Sequence, residues 1–301
     1  MKILNLGSLN IDKIYQVEHF VEPKETIKAA AYEELCGGKG LNQSIALAKA
    51  GAEVYHAGCI GQDGGMLVNI LEEYGVKTDY LRHSTKPSGH AVIQVNGEGQ
   101  NNIIICGGSN DDVTEAYIEE VLADFSREDM ILLQNEISNV DFAIRKAHER
   151  GMKIVVNPSP VNKALETYGL ESVDYFILNE VEGKYLSGKE SDRPEDIMEG
   201  LKEKFPQAAF VLTLGENGAY YFDAKSCVYQ KSYDVEAVDT TGAGDTFSGY
   251  FLAGLVQGRG IEENLRSASM AAALAVSRHG AAPSIPALQE VNEILEKERR
   301  L

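Results

Sequence analysis

The feature that most constrains this chain is a glycine-rich segment late in the sequence, Asp239-Thr240-Thr241-Gly242-Ala243-Gly244-Asp245-Thr246-Phe247. It runs directly into apolar residues at helical spacing, so it predicts a tight turn followed by a helix. The first N–H groups of a helix have no intrahelical acceptor and lie at the positive end of its dipole, where phosphate binds readily. A turn that also holds two aspartates and three hydroxyl side chains therefore predicts a phosphate site with a carboxylate beside it.

Asp245 stands at the start of the predicted helix, and two interpretations of it are open. As an N-cap it would accept hydrogen bonds from the first helical N–H groups and serve stability alone. As a general base it would accept the proton of an attacking hydroxyl group. The density of glycines and polar side chains in the same short turn favours the general base.

A second glycine-rich segment, Gly37-Gly38-Lys39-Gly40-Leu41-Asn42-Gln43, precedes a helical pattern rich in small residues over positions 41–50. Its glycines permit a ligand to approach the backbone closely. The side chain of Asn42 can both donate and accept hydrogen bonds, which suits the hydroxyl groups of a sugar. The segment is therefore a candidate binding site.

From residue 111 onward, predicted strands and helices alternate, which indicates a largely parallel sheet with helices on both faces. Polar residues follow several of the predicted strands, namely Asn10, Asp12, Glu136, Asn157 and Asn179. Ligands collect beyond the carboxyl ends of parallel strands, so these residues predict the ligand-binding edge of the sheet.

Two segments interrupt the alternation of strands and helices. Residues 13–36 show weak strand periodicity, and residues 89–107 contain two β-rich runs joined by Asn96-Gly97-Glu98-Gly99. We expect them to form a small β-sheet that covers the site. Such a lid excludes water, which competes with a sugar hydroxyl as a phosphoryl acceptor.

Together these segments resemble the ribokinase family, also called the pfkB carbohydrate kinases. DTTGAGDTF resembles the family's C-terminal signature, and GGKG followed by Leu-Asn-Gln resembles its N-terminal sugar-binding motif. Further blocks are similar to those of the family and extend the resemblance over nearly the whole chain: N-x-D at 10–12, the glutamate at 136, N-E-x-E at 179–182, T-x-G-x-x-G at 213–218 and the ending at 275–284.

The resemblance implies a ribokinase-like three-layer α/β/α domain over residues 1–301, with a mostly parallel central sheet and a lid at about 13–36 and 89–107. It implies an enzyme that transfers the γ-phosphate of ATP to a sugar hydroxyl, with the 5-hydroxyl of D-ribose as the expected acceptor. Asp245 would be the general base, and the backbone N–H groups of 242–245 would stabilise the transferring phosphoryl group. Mg²⁺ and K⁺ are the expected cofactors, and a homodimer formed through the lid is the expected assembly.

The resemblance also implies the residues of the site. The catalytic turn consists of Gly242, Ala243, Gly244 and Asp245. The expected sugar ligands are Asn10, Asp12, Gly38, Lys39, Gly40, Asn42, Glu136 and Asp245. The expected ATP contacts are Asn179, Thr213, Gly215, Glu216, Gly218, Gly244 and Ser269. The expected K⁺ ligands are Asp239, Thr241, Ala275, Arg278, Gly280 and Ser284, and Glu182 is expected to hold Mg²⁺ through water.

The charge balance narrows the possible partners. A net charge of −18 argues against nucleic acid or an anionic membrane. An acidic protein that binds ATP needs local positive potential, which helix N-termini, Lys39 and metal ions can supply.

The four cysteines show no C-x-x-C spacing and predict reduced thiols. Since neither a signal peptide nor an apolar run of about 18 residues is present, we expect a soluble, cytoplasmic protein.

Other function classes remain as alternatives. A Rossmann-type dehydrogenase is disfavoured because no G-x-G-x-x-G follows the first strand, and no P-loop motif occurs. A non-catalytic sugar-binding protein is disfavoured because Asp245 is present. Kinases of deoxyribose, pseudouridine, adenosine or fructose stay open, because the chain departs from the family pattern at two positions. Lys24 stands where glycine is usual, and Ser269 stands where we expect a larger polar residue near adenine.

Overall fold

The alternating apolar segments form thirteen β-strands in the computed structural model, which describes residues 1–298. In chain order the strands are β1 (Ile3–Leu6), β2 (Asn10–Gln16), β3 (Ala31–Gly37), β4 (Val54–Ile60), β5 (Lys77–His83), β6 (Gly89–Val95), β7 (Asn101–Cys106), β8 (Met130–Gln134), β9 (Lys153–Asn157), β10 (Tyr175–Asn179), β11 (Ala209–Thr213), β12 (Ala219–Phe222) and β13 (Cys227–Gln230). Nine of them form one sheet in the order β13-β12-β11-β10-β9-β8-β1-β4-β5. Strand β12 pairs antiparallel with both β11 and β13, and the other neighbouring strands of this sheet pair parallel, so the carboxyl ends of all its strands except β12 lie at one edge.

Helices cover both faces of this sheet. They are α1 (Lys39–Lys49), α2 (Gly65–Glu73), α3 (Glu115–Leu122), α4 (Val140–Glu149), α5 (Glu180–Ser187), α6 (Pro194–Lys204), α7 (Ala243–Val256), α8 (Ile261–Val276) and α9 (Leu288–Glu298). Successive strand residues point to opposite faces. In β1, Ile3 packs into the core under α1, α2, α7, α8 and α9, whereas Leu4 packs into the core under α3 to α6. The predicted three-layer α/β/α fold is therefore confirmed.

A second, four-stranded sheet stands apart from the central one, in the order β3-β2-β6-β7. It is built from the two segments that interrupt the βαβ alternation in the sequence. Strand β2 pairs with β3 from Asn10↔Gly37 to Gln16↔Ala31 and with β6 from Asn10↔Gly89 to Gln16↔Val95. We call this sheet the lid; that it closes over a ligand remains a prediction.

Several boundaries differ from the sequence-based expectations. Strand β5 is not among the predicted strands, because KTDYLRH lies at the sheet edge, half-exposed, and lacks an apolar run. The small residues of 265–276 predict a helix over that range, but α8 begins earlier, at Ile261, because its first turn is acidic and exposed. The sequence predicts strands over 219–235, whereas regular strand structure ends at Gln230. The last three residues of the predicted 1–301 domain lie outside the described residues.

Lys24, which departs from the family pattern, adopts φ 74°. This left-handed conformation favours glycine because a side chain makes it strained. The chain therefore keeps, at Lys24, a backbone conformation that suits glycine. Within residues 1–298, no helix is long and apolar enough to cross a membrane.

Candidate active site

The N-terminus of α7 is shaped by Gly242, which occupies the N-cap position with φ 74°. A Cβ there would meet the Cβ of Ala281 at 3.0 Å, so both the conformation and the available space require glycine. Gly244 is exposed, and nothing lies within 4 Å of the position where its Cβ would be. The first turn of α7 thus presents backbone N–H groups to an open space, and of these the Ala243 N–H also donates to the carbonyl of Thr240 at 3.3 Å.

Asp245 lies in this first turn, but it is not the helix cap. The N-cap is Gly242, and no side chain caps the helix there. The buried carboxylate of Asp245 instead accepts hydrogen bonds from α1. Asn42 Nδ2 donates to Oδ2 at 3.2 Å, and Gln43 Nε2 donates to Oδ1 at 2.9 Å. The N-cap interpretation of Asp245 is therefore wrong, and a helix adjacent in space holds its side chain.

The contact between α1 and α7 depends on the small size of the residues where the helices meet. A Cβ at Gly249 would come within 2.3 Å of the Cβ of Ala46. This close approach brings the amides of Asn42 and Gln43 to the carboxylate of Asp245. The small residues of both motifs therefore serve the geometry of the site as well as its loops.

A cavity of about 240 Å³ opens beside Asp245 at the carboxyl edge of the central sheet. Seven of the predicted site residues line it: Lys39, Asn179, Glu182, Thr213, Gly242, Gly244 and Asp245. Five more residues line it that have no individual role in the predicted site, namely Asn157, Ile177, Leu178, Thr240 and Ser248. Two of them can be recognised in the sequence, because Asn157 stands at the end of a predicted strand and Thr240 is a hydroxyl residue of the glycine-rich motif. Apolar strand residues such as Ile177 and Leu178 have no such pattern. A larger, open depression of about 490 Å³ lies over one face of α6 and brings no separate elements together.

Lys39 is the cation of this cavity, and its charge is held by carboxylates. Burial lowers the pKa of Lys39, but the charges of Asp245, Glu136 and Glu182 outweigh burial and raise the pKa above its ordinary value. The side chain is therefore protonated at neutral pH. It supplies positive potential inside a protein of net charge −18.

Glu182 and Asn179 form a reciprocal cap at the start of α5. Asn179 Oδ1 accepts from the N–H of Glu182 at 3.0 Å, and Glu182 Oε2 accepts from the N–H of Asn179 at 2.9 Å. Asn179 Nδ2 also donates to Glu182 Oε1 at 3.1 Å. The cap fixes a buried carboxylate at the cavity wall, and its remaining lone pairs can accept from water.

A second group of polar residues lies on the lid side of Lys39. The Lys39 N–H donates to Glu136 Oε2 at 3.1 Å, and the hydroxyl of Ser8 donates to the same oxygen. The Gly40 N–H donates to Ser8 Oγ at 3.2 Å. The start of α1 is thus tied to the ends of β1 and β8, and the second carboxylate oxygen of Glu136 is left for a ligand.

The carboxyl of Asp12 faces the same region. Burial raises the pKa of Asp12 to about 6, and the negative charge of Glu136 adds to the shift. Burial also raises the pKa of Glu136 above its usual range. Asn42 Oδ1 is buried and has no hydrogen-bond partner among residues 1–298. These groups form a set of oxygen acceptors that a polyhydroxylated ligand can satisfy.

Asn110 is a residue of this region that the sequence analysis omits. Its Oδ1 accepts from the Leu9 N–H at 3.1 Å, and its Nδ2 donates to Asn10 Oδ1 at 2.8 Å. It therefore fixes the predicted sugar ligand Asn10. Asn110 lies in a short irregular turn, where periodicity gives no signal.

The predicted K⁺ ligands lie next to the catalytic turn. Asp239 Oδ1 accepts from the Thr241 N–H at 2.9 Å, and Asp239 Oδ2 accepts from the Gly280 N–H at 2.9 Å. The Asp239 N–H donates to the carbonyl of Val276 at 3.0 Å. The loop after α8, which holds the predicted ligands Arg278, Gly280 and Ser284, is thus joined to the turn through Asp239, and Ala275 lies in the last turn of α8.

The structure does not bring every predicted ATP contact into the cavity. Gly215 and Glu216 lie in the short 3₁₀ turn between β11 and β12, and Gly218 ends this turn. The carbonyl of Glu216 accepts from the Ser232 hydroxyl. Ser269 is buried in α8, and its hydroxyl has no partner among the described residues. None of the four lines the cavity, so their role in binding ATP remains a prediction.

Comparison with known proteins agrees with this geometry. Residues 1–288 match the model of the pfkB family carbohydrate kinases. The chain is 34% identical to the ribokinase of Bacillus subtilis, over 96% of this chain and 98% of that one, and 33% identical to the ribokinase of Haemophilus influenzae, over 97% of each. The structure of Arabidopsis thaliana ribokinase complexed with ribose and ATP superimposes with a TM-score of 0.86 at 31% identity, covering 98% of each chain.

Proposed function

The chain belongs to the pfkB family of carbohydrate kinases, and we propose that it transfers the γ-phosphate of ATP to the 5-hydroxyl of D-ribose. It is an ATP-dependent sugar kinase. The observation that carries the more specific proposal is the position of Asp245. A buried carboxylate lies at the N-terminus of a helix, in one cavity with Lys39 and beside a set of hydroxyl-binding groups.

Each part of the catalytic turn has a role in this proposal. Asp245 accepts the proton of the sugar hydroxyl as that oxygen attacks phosphorus. The backbone N–H groups of 242–245 donate to the oxygens of the transferring phosphoryl group, which carry the charge of the transition state. Lys39 adds a fixed positive charge beside them. Positioning and charge stabilisation account for most of the rate in this kind of reaction.

Mg²⁺ is expected to accompany ATP, and the residues present fit that expectation. Glu182 places a buried carboxylate in the cavity, and carboxylate with water is the ligand set that Mg²⁺ prefers. Bound with ATP, the ion would neutralise phosphate charge. Asn179 would hold Glu182 in place through the reciprocal cap and would line the phosphate site.

A monovalent cation is expected to activate the enzyme. Asp239 keeps free lone pairs, and Thr241, Ser284 and the carbonyls of the loop after α8 lie around the same turn. These hard oxygen donors suit K⁺, which would hold the turn in place and add positive potential.

We therefore expect the rate in K⁺ to exceed the rate in tetramethylammonium about fivefold or more at matched ionic strength. The measurement is the steady-state rate in each salt, with Asp239→Asn as the variant in which the difference shrinks. Equal rates for the wild-type protein in the two salts would remove the cation from the account.

D-ribose is the acceptor that the polar residues on the lid side of Lys39 fit best, although they do not themselves line the cavity. Asn10, Asp12, Asn42 and Glu136 supply carboxylate and amide oxygens for a ring of hydroxyls. Lys39 is the cation of this region, and a sugar phosphate would need a basic cluster besides it. Tyr15 and Tyr32, whose ring centroids are 4.9 Å apart in the lid, could stack on the base of a nucleoside.

The choice of acceptor is tested by measuring kcat/KM for ribose, deoxyribose, fructose, adenosine and pseudouridine with ATP. Ribose should rank first, and a faster nucleoside would refute this acceptor.

The KM for ribose is expected to depend on pH through Asp12. Its pKa of about 6 means that the carboxyl is ionised at pH 7.5 and mostly protonated at pH 5. Since sugar hydroxyls donate to the ionised form, KM should rise about tenfold between these values. KM measured from pH 5 to 8 tests this. In Asp12→Asn the dependence should shrink to the part that Glu136 contributes, and a flat wild-type profile would contradict the proposed contact.

The lid is expected to join two copies of the chain. Register places Ala91 and Ile105 alongside Asp12, and Ile93 and Ile103 alongside Ile14, so one face of the lid is apolar next to the sugar site. Ile103 and Ile105, on edge strand β7, are 50% and 60% exposed. An exposed apolar edge strand pairs readily with another sheet, and a second copy would cover this face.

Light scattering should show that the wild-type protein is a dimer and that Ile105→Glu is a monomer. A monomeric wild-type protein would exclude the dimer.

A further inference from the structure

A buried row of side-chain amides extends behind the catalytic carboxylate. Gln43 Oε1 accepts from Gln134 Nε2 at 2.8 Å, and the same Gln134 nitrogen donates to Asn5 Oδ1 at 3.0 Å. Gln43 Nε2 donates to Asp245 Oδ1 at 2.9 Å. Asn5, Gln43 and Gln134 are each at most 1% exposed. The row therefore runs from β1 through β8 and α1 to α7.

Each side-chain amide of this row could exchange the positions of its oxygen and its nitrogen. Partners that can only accept hydrogen bonds determine which of the two positions the nitrogen takes. Asn5 Nδ2 donates to the carbonyl of Gly40 at 2.7 Å, so its Oδ1 must face Gln134. Gln134 must then present its nitrogen to Gln43, which leaves Gln43 with its nitrogen toward the carboxylate of Asp245. A side-chain amide can otherwise adopt two orientations related by a flip. Here each orientation follows from its neighbour.

A second contact fixes the Gln43 end of the row. Gln43 Nε2 also lies 3.4 Å from Asn157 Oδ1, and Asn157 Nδ2 donates to the carbonyl of Ile177 at 2.8 Å. Asn157 must therefore present its oxygen to Gln43. Both N–H groups of Gln43 face acceptors, and its oxygen depends on Gln134 alone among the contacts of the described residues.

We propose that Gln134 is a positioning residue for phosphoryl transfer, which acts through Gln43 to hold the carboxylate of Asp245 in one orientation. This inference rests on the proposed role of Asp245 as the base. Without Gln134, the buried oxygen of Gln43 loses its donor. The Gln43 nitrogen still faces two acceptors, Asp245 Oδ1 and Asn157 Oδ1, but nothing fixes the end of the side chain from behind. The amide can then move away from Asp245 Oδ1, which leaves the carboxylate with the Asn42 contact alone.

Two variants of Gln134 test the proposal. Gln134→Met has a similar length and no hydrogen-bonding group, and we expect it to lower kcat about tenfold. Its Kd for ribose, measured by calorimetry, should stay within about threefold of the wild-type value, because Gln134 contacts no predicted sugar ligand.

Gln134→Glu is isosteric with the wild-type side chain. When protonated, the introduced carboxyl donates to one acceptor of the row; when ionised, it can only accept. The ratio of its kcat to the wild-type kcat should therefore fall as pH rises from 6 to 9.

The matched control is Asn264→Leu, which replaces another fully buried amide in α8. Asn264 packs against Gly254, about 13 Å along α7 from Asp245. Its kcat should equal that of the wild type. A Gln134→Met kcat within twofold of wild type, or a pH-independent ratio for Gln134→Glu, overturns the proposal. If Gln134→Met does not fold, the proposal is tested by the pH dependence of the ratio of the Gln134→Glu kcat to the wild-type kcat.

Asp245→Asn separates this proposal from the function on which it rests. If Asp245→Asn loses activity while both Gln134 variants keep it, only the positioning role is wrong. If Asp245→Asn keeps wild-type kcat, the general base is wrong, and the role of the amide row fails with it.

Discussion

Asp245→Asn is expected to lower kcat by at least about 10²-fold while the Kd values for ATP and ribose stay within a few-fold. Asparagine keeps the volume of the side chain but cannot accept the hydroxyl proton. One of its atoms also becomes a donor that faces Asn42 or Gln43, which both donate to the carboxylate. Single-turnover rates and calorimetry measure the two effects separately.

The matched control is Asp141→Asn, which removes an exposed aspartate from the first turn of α4. It has the same relation to a helix dipole but lies outside the cavity. Its kcat should equal that of the wild type. Near-wild-type turnover in Asp245→Asn would remove Asp245 from the mechanism. A loss of melting temperature with unchanged turnover would leave it a stabilising role only.

The second large effect is discrimination between ribose and 2-deoxyribose. A site built to hydrogen-bond a hydroxyl rejects the analogue that lacks it by up to about 10⁴-fold, because its buried polar groups are left unpaired. Asn42 Oδ1 is such a buried group, and Asn110 and Ser8 hold Asn10 and Glu136 so that they cannot turn elsewhere. We therefore expect kcat/KM for ribose to exceed that for 2-deoxyribose by about 10² to 10⁴.

Competition between the two sugars at one ATP concentration measures this ratio directly. Asn264→Leu, which leaves the site intact, should keep the ratio. Equal kcat/KM values for the two sugars would show that the 2-hydroxyl meets no buried partner. In that case the kinase chemistry would stand, but ribose would no longer be the preferred acceptor.

The sequence predicts those parts of the molecule whose signals are local. Short apolar runs predict β1 and β8, and the polar residues at strand ends predict the edge of the sheet at which Glu136 and Asn179 lie. The turn at Gly242 is predictable because its backbone conformation requires glycine. The edge strand β5 and the acidic start of α8 lack such patterns, since neither presents an apolar face.

The amide row could not be predicted in this way. Asn5, Gln43 and Gln134 are up to 129 residues apart; Asn5 and Gln134 are each the one polar residue of an apolar strand, and Gln43 is one of several polar residues in α1. Only the pairing of β1 with β8 and the close contact of α1 with α7 make them neighbours. The direction of each amide depends on partners that sequence does not reveal. For the same reason Asn110, in an irregular turn, could not be assigned to the site.

The central claim is that ATP donates its γ-phosphate to the 5-hydroxyl of D-ribose. The most direct measurement is ³¹P NMR of the product formed from ATP, Mg²⁺, K⁺ and D-ribose, with the proton couplings to phosphorus retained. The expected products are equal amounts of ADP and a phosphomonoester whose phosphorus couples to the two protons on C5. A phosphomonoester at another carbon, or ADP formed at the same rate without any sugar, would contradict it.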